Sequence, residues 1–157
     1  MLKKFISIIF ASQLFLSCGF TPTLKNNNQE IDTLIHYEIN PESSYVARKI
    51  LNTNLQYVDK DKAKFLTKIT VKEKESAVNI ESSGSVNEYK IEALINFEIF
   101  DMINNIMLLA SQSRGFENYD ISSSEYTNSL IQKEALERAL IEGIQLMNII
   151  IQSRITE

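Results

Sequence analysis

The sequence predicts an α+β protein, a two-layer sandwich in which two helices pack on one four-stranded, mostly antiparallel sheet. Two observations favour this class. Apolar and polar residues alternate through two long central segments, which is the period of a half-buried strand. The last segment repeats its apolar residues every three or four positions, which is typical of an amphipathic helix. With one strand and one helix before these segments, the predicted order is β-α-β-β-β-α in a single domain over residues 31–157.

The first predicted strand is followed directly by a helix. Residues 31–39 are rich in β-branched and aromatic side chains, which favour a strand. Asn40 and Pro41 end that strand, and they suit the cap and the first turn of a helix. A helix is predicted over residues 42–56, because apolar residues recur there at three- and four-residue steps.

The next three predicted strands form an antiparallel meander. In the segment 60–78 the odd positions from 65 to 71 hold apolar residues and one Thr, and in the segment 89–99 the odd positions are again apolar. Turn residues lie at 82–84 and 101–105, and residues 106–112 supply the fourth strand. Because the even positions are mostly polar, one face of this sheet is expected to meet water.

The C-terminal helix has the most regular apolar stripe of the chain. The serines at 122–124 offer caps for it, and Ser122 and Glu125 have the spacing of a capping box. Eight residues fall on one side of this helix: Leu136, Ala139, Leu140, Gly143, Ile144, Met147, Ile150 and Ile151. Together with the first helix, this stripe is expected to cover the apolar face of the sheet.

The amino terminus has the pattern of a secretion signal. Residues 1–17 combine two lysines with an apolar stretch of 12 residues, which is too short to span a bilayer. Ser17, Cys18 and Gly19 then resemble the end of a bacterial lipoprotein signal, in which the Cys receives the lipid. A plain secreted protein, or a short buried helix that ends in Cys, is the alternative.

The lipoprotein resemblance implies a mature chain that begins at Cys18 and carries covalent acyl chains such as palmitate. Because Gly19 rather than Asp follows the Cys, it also implies the periplasmic side of the outer membrane of a Gram-negative bacterium. Residues 18–30 have no apolar period and contain three consecutive Asn, so they are predicted to be a flexible tether.

Composition excludes several classes of protein. A single Cys leaves no intramolecular disulfide partner, and one Cys with one His cannot build a zinc cluster. The net charge is −4, and without Lys3 and Lys4 of the signal 14 basic residues face 20 acidic ones, a net charge of −6. That balance disfavours non-specific nucleic-acid binding.

Motifs for catalysis are missing from the sequence. No phosphate-binding glycine loop, nucleophile elbow or metalloprotease motif occurs. His36, in the first predicted strand, is interpreted as a structural side chain, and the serines at 122–124 as helix caps rather than nucleophiles. We therefore expect a protein that is not an enzyme, with no metal and no cofactor other than the lipid on Cys18.

One face of the predicted second strand is basic. Glutamates occupy the even positions of the third strand, so a solvated ladder of cross-strand ion pairs is one interpretation. The other is a patch for anionic head groups such as the phosphates of lipid A, with Lys62 and Lys64 as its candidates. Six lysines at even positions define this face: Lys60, Lys62, Lys64, Lys68, Lys72 and Lys74.

Arg114 is the other candidate contact for an anion. It lies in the segment 113–116, which is interpreted as a loop that leads into the last helix. A guanidinium group binds phosphate or carboxylate through two parallel hydrogen bonds. The alternative is that Arg114 caps or braces this loop.

The mature chain resembles the LptE family of lipopolysaccharide-assembly lipoproteins, in a divergent α-proteobacterial form. The resemblance rests on the order and spacing of the L-S-C-G-F start, one helix after the first strand, the three-strand meander, S-R-G-F-E-N-Y-D and the closing Q-K-E-A-L-E-R-A-L. It implies a lipoprotein that assembles with the β-barrel LptD, plugs it, binds lipopolysaccharide and helps deliver it to the outer leaflet. Only Cys18 carries over residue by residue.

Two other functions remain open at this point. An auxiliary lipoprotein of an ABC-type lipid or solvent-tolerance transporter would share the anchor and a small α+β domain. A lipid-carrying or sorting lipoprotein would need a deep apolar cavity, whereas the predicted apolar faces suffice for a filled two-layer core.

Overall fold

The computed structural model describes residues 34–155. Two helices and four strands follow one another in the predicted order. They are β1 Ile35–Ile39, α1 Tyr45–Asn54, β2 Phe65–Ile80, β3 Val86–Asp101, β4 Ile106–Asp120 and α2 Glu125–Ile155, with a 3-10 turn over Lys60–Lys62 before β2. The predicted signal peptide, Cys18, the tether over 18–30 and the start of the predicted first strand lie outside the described residues.

The four strands form one sheet in the order β1-β2-β3-β4. β1 runs parallel to β2, with Ile35 opposite Phe65, because α1 carries the chain back between the two strands. β2, β3 and β4 pair antiparallel, which confirms the predicted meander. β2 and β3 have 16 residues each, a length of about 50 Å at the rise of a strand. The sheet therefore has two distant ends, a tether end with Leu34 and residues 102–105, and a hairpin end with residues 81–85.

Both helices cover the same face of the sheet. The odd positions of β2 and β3 point towards them, as the alternation predicts, and the core lies between the two layers. At its centre Phe97, Ile95, Leu140 and Met147 are almost completely buried. This arrangement confirms the two-layer α+β sandwich.

The helix caps agree with the sequence prediction in part. α1 begins at Tyr45 because the Ser44 hydroxyl, and not Asn40, accepts a hydrogen bond from the backbone N–H of Ala47 at 3.1 Å. The Asn40 side chain is engaged in a turn with Glu42 N, and Asn40 N bonds β2. At α2 the cap is Ser124, one of the three predicted serines, whose hydroxyl accepts from Thr127 N, and Ser122 does not form the predicted box with Glu125.

β4 is longer than predicted. It continues from Ile106 through the segment 113–116 to Asp120, so this segment is a strand and not the predicted loop. The inward residues of this segment, Ser113 and Gly115, give no apolar signal, because α2 packs too close to them for large side chains. A Cβ on Gly115 would stand 1.9 Å from the carbonyl oxygen of Ala139, and the Ser113 hydroxyl donates to Gly143 O at 2.8 Å.

The β2–β3 hairpin extends beyond the main helical cover. Residues 65–71 and 91–101, the covered half, alternate between buried and solvent-facing positions. Residues 72–90, the uncovered half, are exposed from Lys72 to Ser85 and only partly buried or exposed from Val86 to Lys90. Among residues 34–155 no helix combines the length and apolar character needed to cross a membrane.

Candidate functional site

Lys62 and Lys64 lie at the tether end of the sheet. Lys62 belongs to the 3-10 turn rather than to β2, and its ammonium pairs with Asp59 at 3.2 Å. Lys64 directly precedes β2, and its ammonium stands 5.1 Å from the ring centroid of Phe65. Both side chains are exposed, so both are accessible to an anion.

Arg114 lies in the middle of β4, on the sheet face that carries no helix. Its Nε stands 2.9 Å from a carboxylate oxygen of Glu92 on β3. The register aligns Arg114 with Leu94 and Lys72, eight residues along β2 from Lys64, which is about 26 Å at the rise of a strand. Lys62 and Lys64 are therefore not brought together with Arg114 in one site.

Lysines and glutamates of the predicted cross-strand ladder lie opposite one another in the register, but they do not form ion pairs. Lys68 is opposite Glu98 and Lys74 is opposite Glu92. Within residues 34–155, however, neither pair makes an ion pair. Glu92 is bound instead by Arg114, from the β4 side. Three of the six lysines do not belong to the strand, because the 3-10 turn contains Lys60 and Lys62 and because Lys64 precedes β2.

The outer end of β1 is tied down by side chains of the segment after α1. Lys60 pairs with Glu38 at 2.6 Å, and the hydrogen bond from Lys60 lowers the pKa of that carboxyl. A ring nitrogen of His36 lies 2.7 Å from the carbonyl oxygen of Val58. These contacts hold the connecting segment against the edge strand, which is a structural role for His36.

Four cations gather on the helix-free face of the uncovered half and its neighbours in β4. The register sets Lys72 beside Leu94 and Arg114, and sets Lys74 beside Glu92 and Phe116. In the next row Lys90 projects from the same face, and its ammonium stands 4.2 Å from the ring centroid of Phe116. We call this group the distal patch: Lys72, Lys74, Lys90, Arg114, Leu94 and Phe116.

The distal patch combines positive charge with exposed apolar surface. Glu92 is the carboxylate within these rows, and it is already bound to Arg114. Glu88 and Asp120 follow one row nearer the hairpin end. Phe116 is 51% exposed, so an aromatic face is open to solvent between the cations. Such a surface suits an amphiphilic anion, because ammonium and guanidinium groups bind phosphate while Phe116 contacts hydrocarbon.

The opposite face of the same strand is acidic. Glu73 accepts a hydrogen bond from Ser44 at the start of α1, and Glu75 accepts from Gln132 of α2 and from the hydroxyl of Tyr119. Burial raises the pKa of Tyr119, and the hydrogen bond to Glu75 raises it further. Because Lys and Glu alternate over residues 72–75, positive charge lies on the helix-free face of β2 and negative charge on the face towards the helices.

Sequence reasoning identified Lys72, Lys74 and Arg114 separately but missed Lys90 and Phe116. Their signal is register, which becomes readable only when β4 is extended beyond Gln112 and aligned with β3. Between residues 34 and 155 no group of three or more His, Cys, Asp or Glu side chains has a geometry that could hold a metal ion.

A concavity of about 890 Å³ lies beside β1 on the helix-free face. Glu38, Lys68 and Glu98 contribute to its lining, so it is a charged depression rather than an apolar chamber. A smaller groove of about 450 Å³ runs between the helices, with Val46, Ile91 and Leu136 along it. Neither has the deep apolar form expected of a lipid-carrying protein.

The fold is shared with solved structures of bacterial lipoproteins. A protein assigned as a lipoprotein of Caulobacter crescentus CB15 superposes with a TM-score of 0.63 at 16% identity, over 82% of this chain and 95% of that chain. The rare lipoprotein B of Shewanella oneidensis gives 0.53 at 15% identity, over 76% and 96% of the two chains. The minor lipoprotein of Acinetobacter baumannii gives 0.51 at 13% identity, over 78% and 94%.

No family model and no curated protein matches the sequence. At the identities of these structural neighbours the likeness concerns the fold, which is preserved over nearly the whole length of each neighbour. The chain therefore has the α+β fold found in proteins identified as lipoproteins of Gram-negative bacteria.

Proposed function

We propose that this protein is an outer-membrane lipoprotein of the LptE type, anchored on the periplasmic side through acyl chains on Cys18. It assembles with and plugs the β-barrel LptD and helps to deliver lipopolysaccharide to the outer leaflet. Its role is binding and assembly rather than catalysis, and the covalent lipid is its only non-protein group.

Two independent features support the lipoprotein part of this proposal. The sequence places Ser17, Cys18 and Gly19 directly after a short apolar signal segment. The fold is that of proteins identified as lipoproteins, including rare lipoprotein B. Lipid attachment and fold are separate observations, and they agree on the same class.

The distal patch carries the lipopolysaccharide part of the proposal. Lipopolysaccharide presents phosphate groups next to a sugar backbone and acyl chains, so its contact surface needs cations beside apolar groups. Lys72, Lys74 and Lys90 supply cations that form no ion pair within the described chain, and Phe116 supplies exposed aromatic surface. Arg114 takes part in this surface, whereas Lys62 and Lys64, at the tether end, form a separate candidate region.

The position of the distal patch fits a protein that reaches into a barrel from its anchor. The chain enters the sheet at Leu34, whose carbonyl accepts hydrogen bonds from Lys64 and Phe65 at the tether end. Lys72 lies about 26 Å further along β2, and the hairpin extends beyond it. The binding surface is thus held away from the predicted membrane anchor by a rigid pair of strands.

Binding of purified lipopolysaccharide to the purified chain tests the proposed surface. In the triple variant Lys72→Glu, Lys74→Glu, Lys90→Glu we expect at least about tenfold weaker binding, which corresponds to about 1.4 kcal/mol. The matched control is Lys49→Glu, an exposed lysine of α1 on the other side of the sheet, for which binding stays within about twofold. Equal binding by the triple variant and the control would exclude the distal patch.

The double variant Lys62→Glu, Lys64→Glu separates the two candidate regions. If the distal patch carries the binding, this variant behaves like the control, and a loss confined to it would move the site to the tether end.

Affinity purification of the tagged, lipidated chain from its host membrane then tests the partner. A co-purifying β-barrel supports the proposal, and an inner-membrane transporter in its place would support the auxiliary lipoprotein instead.

A further inference from the structure

The turn between β3 and β4 displays apolar side chains to solvent. Ile103 is 73% exposed at its tip, and Ile106 and Met107 are 51% and 52% exposed at the start of β4. Large apolar side chains exposed near one another at one end of a sheet are a common feature of interaction surfaces. Their exposure calls for a partner that covers them.

Hydrogen bonds fix the conformation of this turn. The carboxylate of Asp101 accepts from the backbone N–H of Ile103 at 2.8 Å, from that of Asn104 at 3.0 Å and from the Asn104 side chain at 2.9 Å. These bonds, those from Asn104 foremost, lower the pKa of Asp101. Asn105 completes the reversal with a φ of +52°. Ile103 is therefore held outwards by a preformed turn.

The same end of the sheet receives the chain from the predicted anchor. Lys64 N and Phe65 N donate to Leu34 O, and Met102 N donates to Lys64 O. Only the start of β2 therefore lies between Leu34 and the β3–β4 turn. Leu34 is itself 38% exposed. Cys18 is only 16 positions earlier in the sequence, which keeps this end of the domain in the neighbourhood of whatever surface holds the lipid.

Charges near the turn are balanced. Lys62 pairs with Asp59, and Lys60 pairs with Glu38. Lys64 has Asp101 as its acidic neighbour, and its charge adds to the hydrogen bonds from Asn104 that lower the pKa of Asp101. Such a surface has no strong preference for a charged partner. The exposed apolar side chains, and not the charges, decide what binds here.

We propose that the β3–β4 turn docks on the bilayer that holds the anchor, with Ile103, Ile106 and Met107 inserted at the membrane interface. This contact rests on the proposed lipidation of Cys18, because the anchor keeps the turn close to the bilayer. It orients the domain end-on, with the β2–β3 hairpin directed away from the membrane surface. The partner is a lipid surface of either charge, since the contact is apolar.

A single introduced tryptophan tests this contact, because the chain contains no Trp. The lipidated full chain with Ile103→Trp is reconstituted into phosphatidylcholine vesicles whose acyl chains are brominated, which quenches indole fluorescence on contact. We expect a blue-shifted emission quenched by at least about twofold, equally at low and high ionic strength. The matched control is Tyr126→Trp, 79% exposed in the first turn of α2 at the hairpin end, whose emission stays unquenched.

Each other outcome overturns the proposal in a distinguishable way. Vesicle-bound protein with both tryptophans unquenched has no membrane contact at the turn. Quenching of both tryptophans describes a domain that lies flat, which contradicts the end-on orientation. Protein that does not float with the vesicles lacks the anchor, so the proposed localisation fails together with the contact. Quenching that disappears at high ionic strength would show an electrostatic contact in place of the apolar one.

Discussion

The two halves of the β2–β3 hairpin are formed by the same two paired strands, but they differ in how far their side chains are buried. In the covered half Phe97 and Ile69 are 1% exposed and pack under two helices. In the uncovered half Val78 and Ile80 are 49% and 61% exposed, although β2 and β3 still pair there, with register shifts between Ala77 and Ile80. Pairing alone therefore does not bury a strand; the second layer does.

This difference indicates a division of tasks within one sheet. Folding free energy comes mainly from apolar surface that both layers remove from water, and that surface lies in the covered half. The uncovered half contributes backbone hydrogen bonds and leaves Lys72, Lys74 and Lys90 in contact with solvent, so these lysines can contribute to the distal patch. Regions of low local stability are where binding surfaces are commonly found.

Truncation of one large side chain in each half should give the largest difference in the free energy of unfolding between the two halves. Phe97→Ala leaves a cavity in the centre of the core, and we expect it to lower the free energy of unfolding by about 3–5 kcal/mol. Ile80→Ala removes a side chain that already meets water, so its effect should stay within about 0.5 kcal/mol. Urea denaturation of both variants measures this, and equal losses would mean that the hairpin end is part of the core.

Enlargement of a side chain should show the same contrast with a smaller effect. Gly115→Ala forces a methyl group against the backbone of Ala139, and we expect a loss of about 1–3 kcal/mol or more. Ala77→Val adds two methyl groups to an exposed position of β2 and should change stability by no more than about 0.5 kcal/mol. A silent Gly115→Ala variant would show that α2 does not approach β4 closely.

Acid should remove a contribution of Asp101 to stability at the tether end of the covered half. The folded pKa of Asp101 is below its ordinary value of 3.8, so ionised Asp101 stabilises the fold. That contribution is complete above the ordinary pKa and is lost as the pH falls through the lower folded value. Asp101→Asn should flatten this acid-side decline in melting temperature. An unchanged decline in the variant would assign the loss to other carboxyls.

Removal of a surface charge pair should have the smallest effect on stability and a visible one on binding. The Arg114 and Glu92 side chains are 56% and 25% exposed, so their pair contributes about 1 kcal/mol or less. Glu92→Gln frees Arg114 and should strengthen lipopolysaccharide binding by about threefold, which isothermal titration would measure. Weaker binding would mean that Arg114 needs Glu92 to hold its orientation.

Much of the fold could be predicted from periodicity. The alternation through β2 and β3 and the stripe of α2 are signals of burial, and both follow from the sequence alone. The length of β4 does not follow, because Ser113 and Gly115 are inward-facing and small, and hydropathy gives no sign of a close helix. The caps at Ser44 and Ser124 likewise depend on which of several neighbouring polar side chains the turn leaves free.

The candidate site was less predictable than the fold. The lysines of β2 could be grouped because a strand has a period of two, but Lys90 and Phe116 join them only through the register of three strands. A shift of one residue would turn either side chain to the other face. The partner is a further step away, since no spacing within this chain specifies a barrel.

Hydrogen exchange resolved along β2 and β3 tests directly whether the helical layer stabilises the covered half and whether the ligand binds at the distal patch. In the isolated chain, amides of the covered half such as Ile95 and Phe97 should exchange only through global unfolding, whereas amides at 76–88 should exchange through local opening. Added lipopolysaccharide should then slow exchange around the distal patch, in residues 72–76, 90–94 and 114–116, and leave residues 65–71 and 95–101 unchanged. Uniform protection along both strands in the free chain would contradict the proposed role of the second layer, and slowing by the ligand in residues 65–71 or 95–101 would contradict the distal patch.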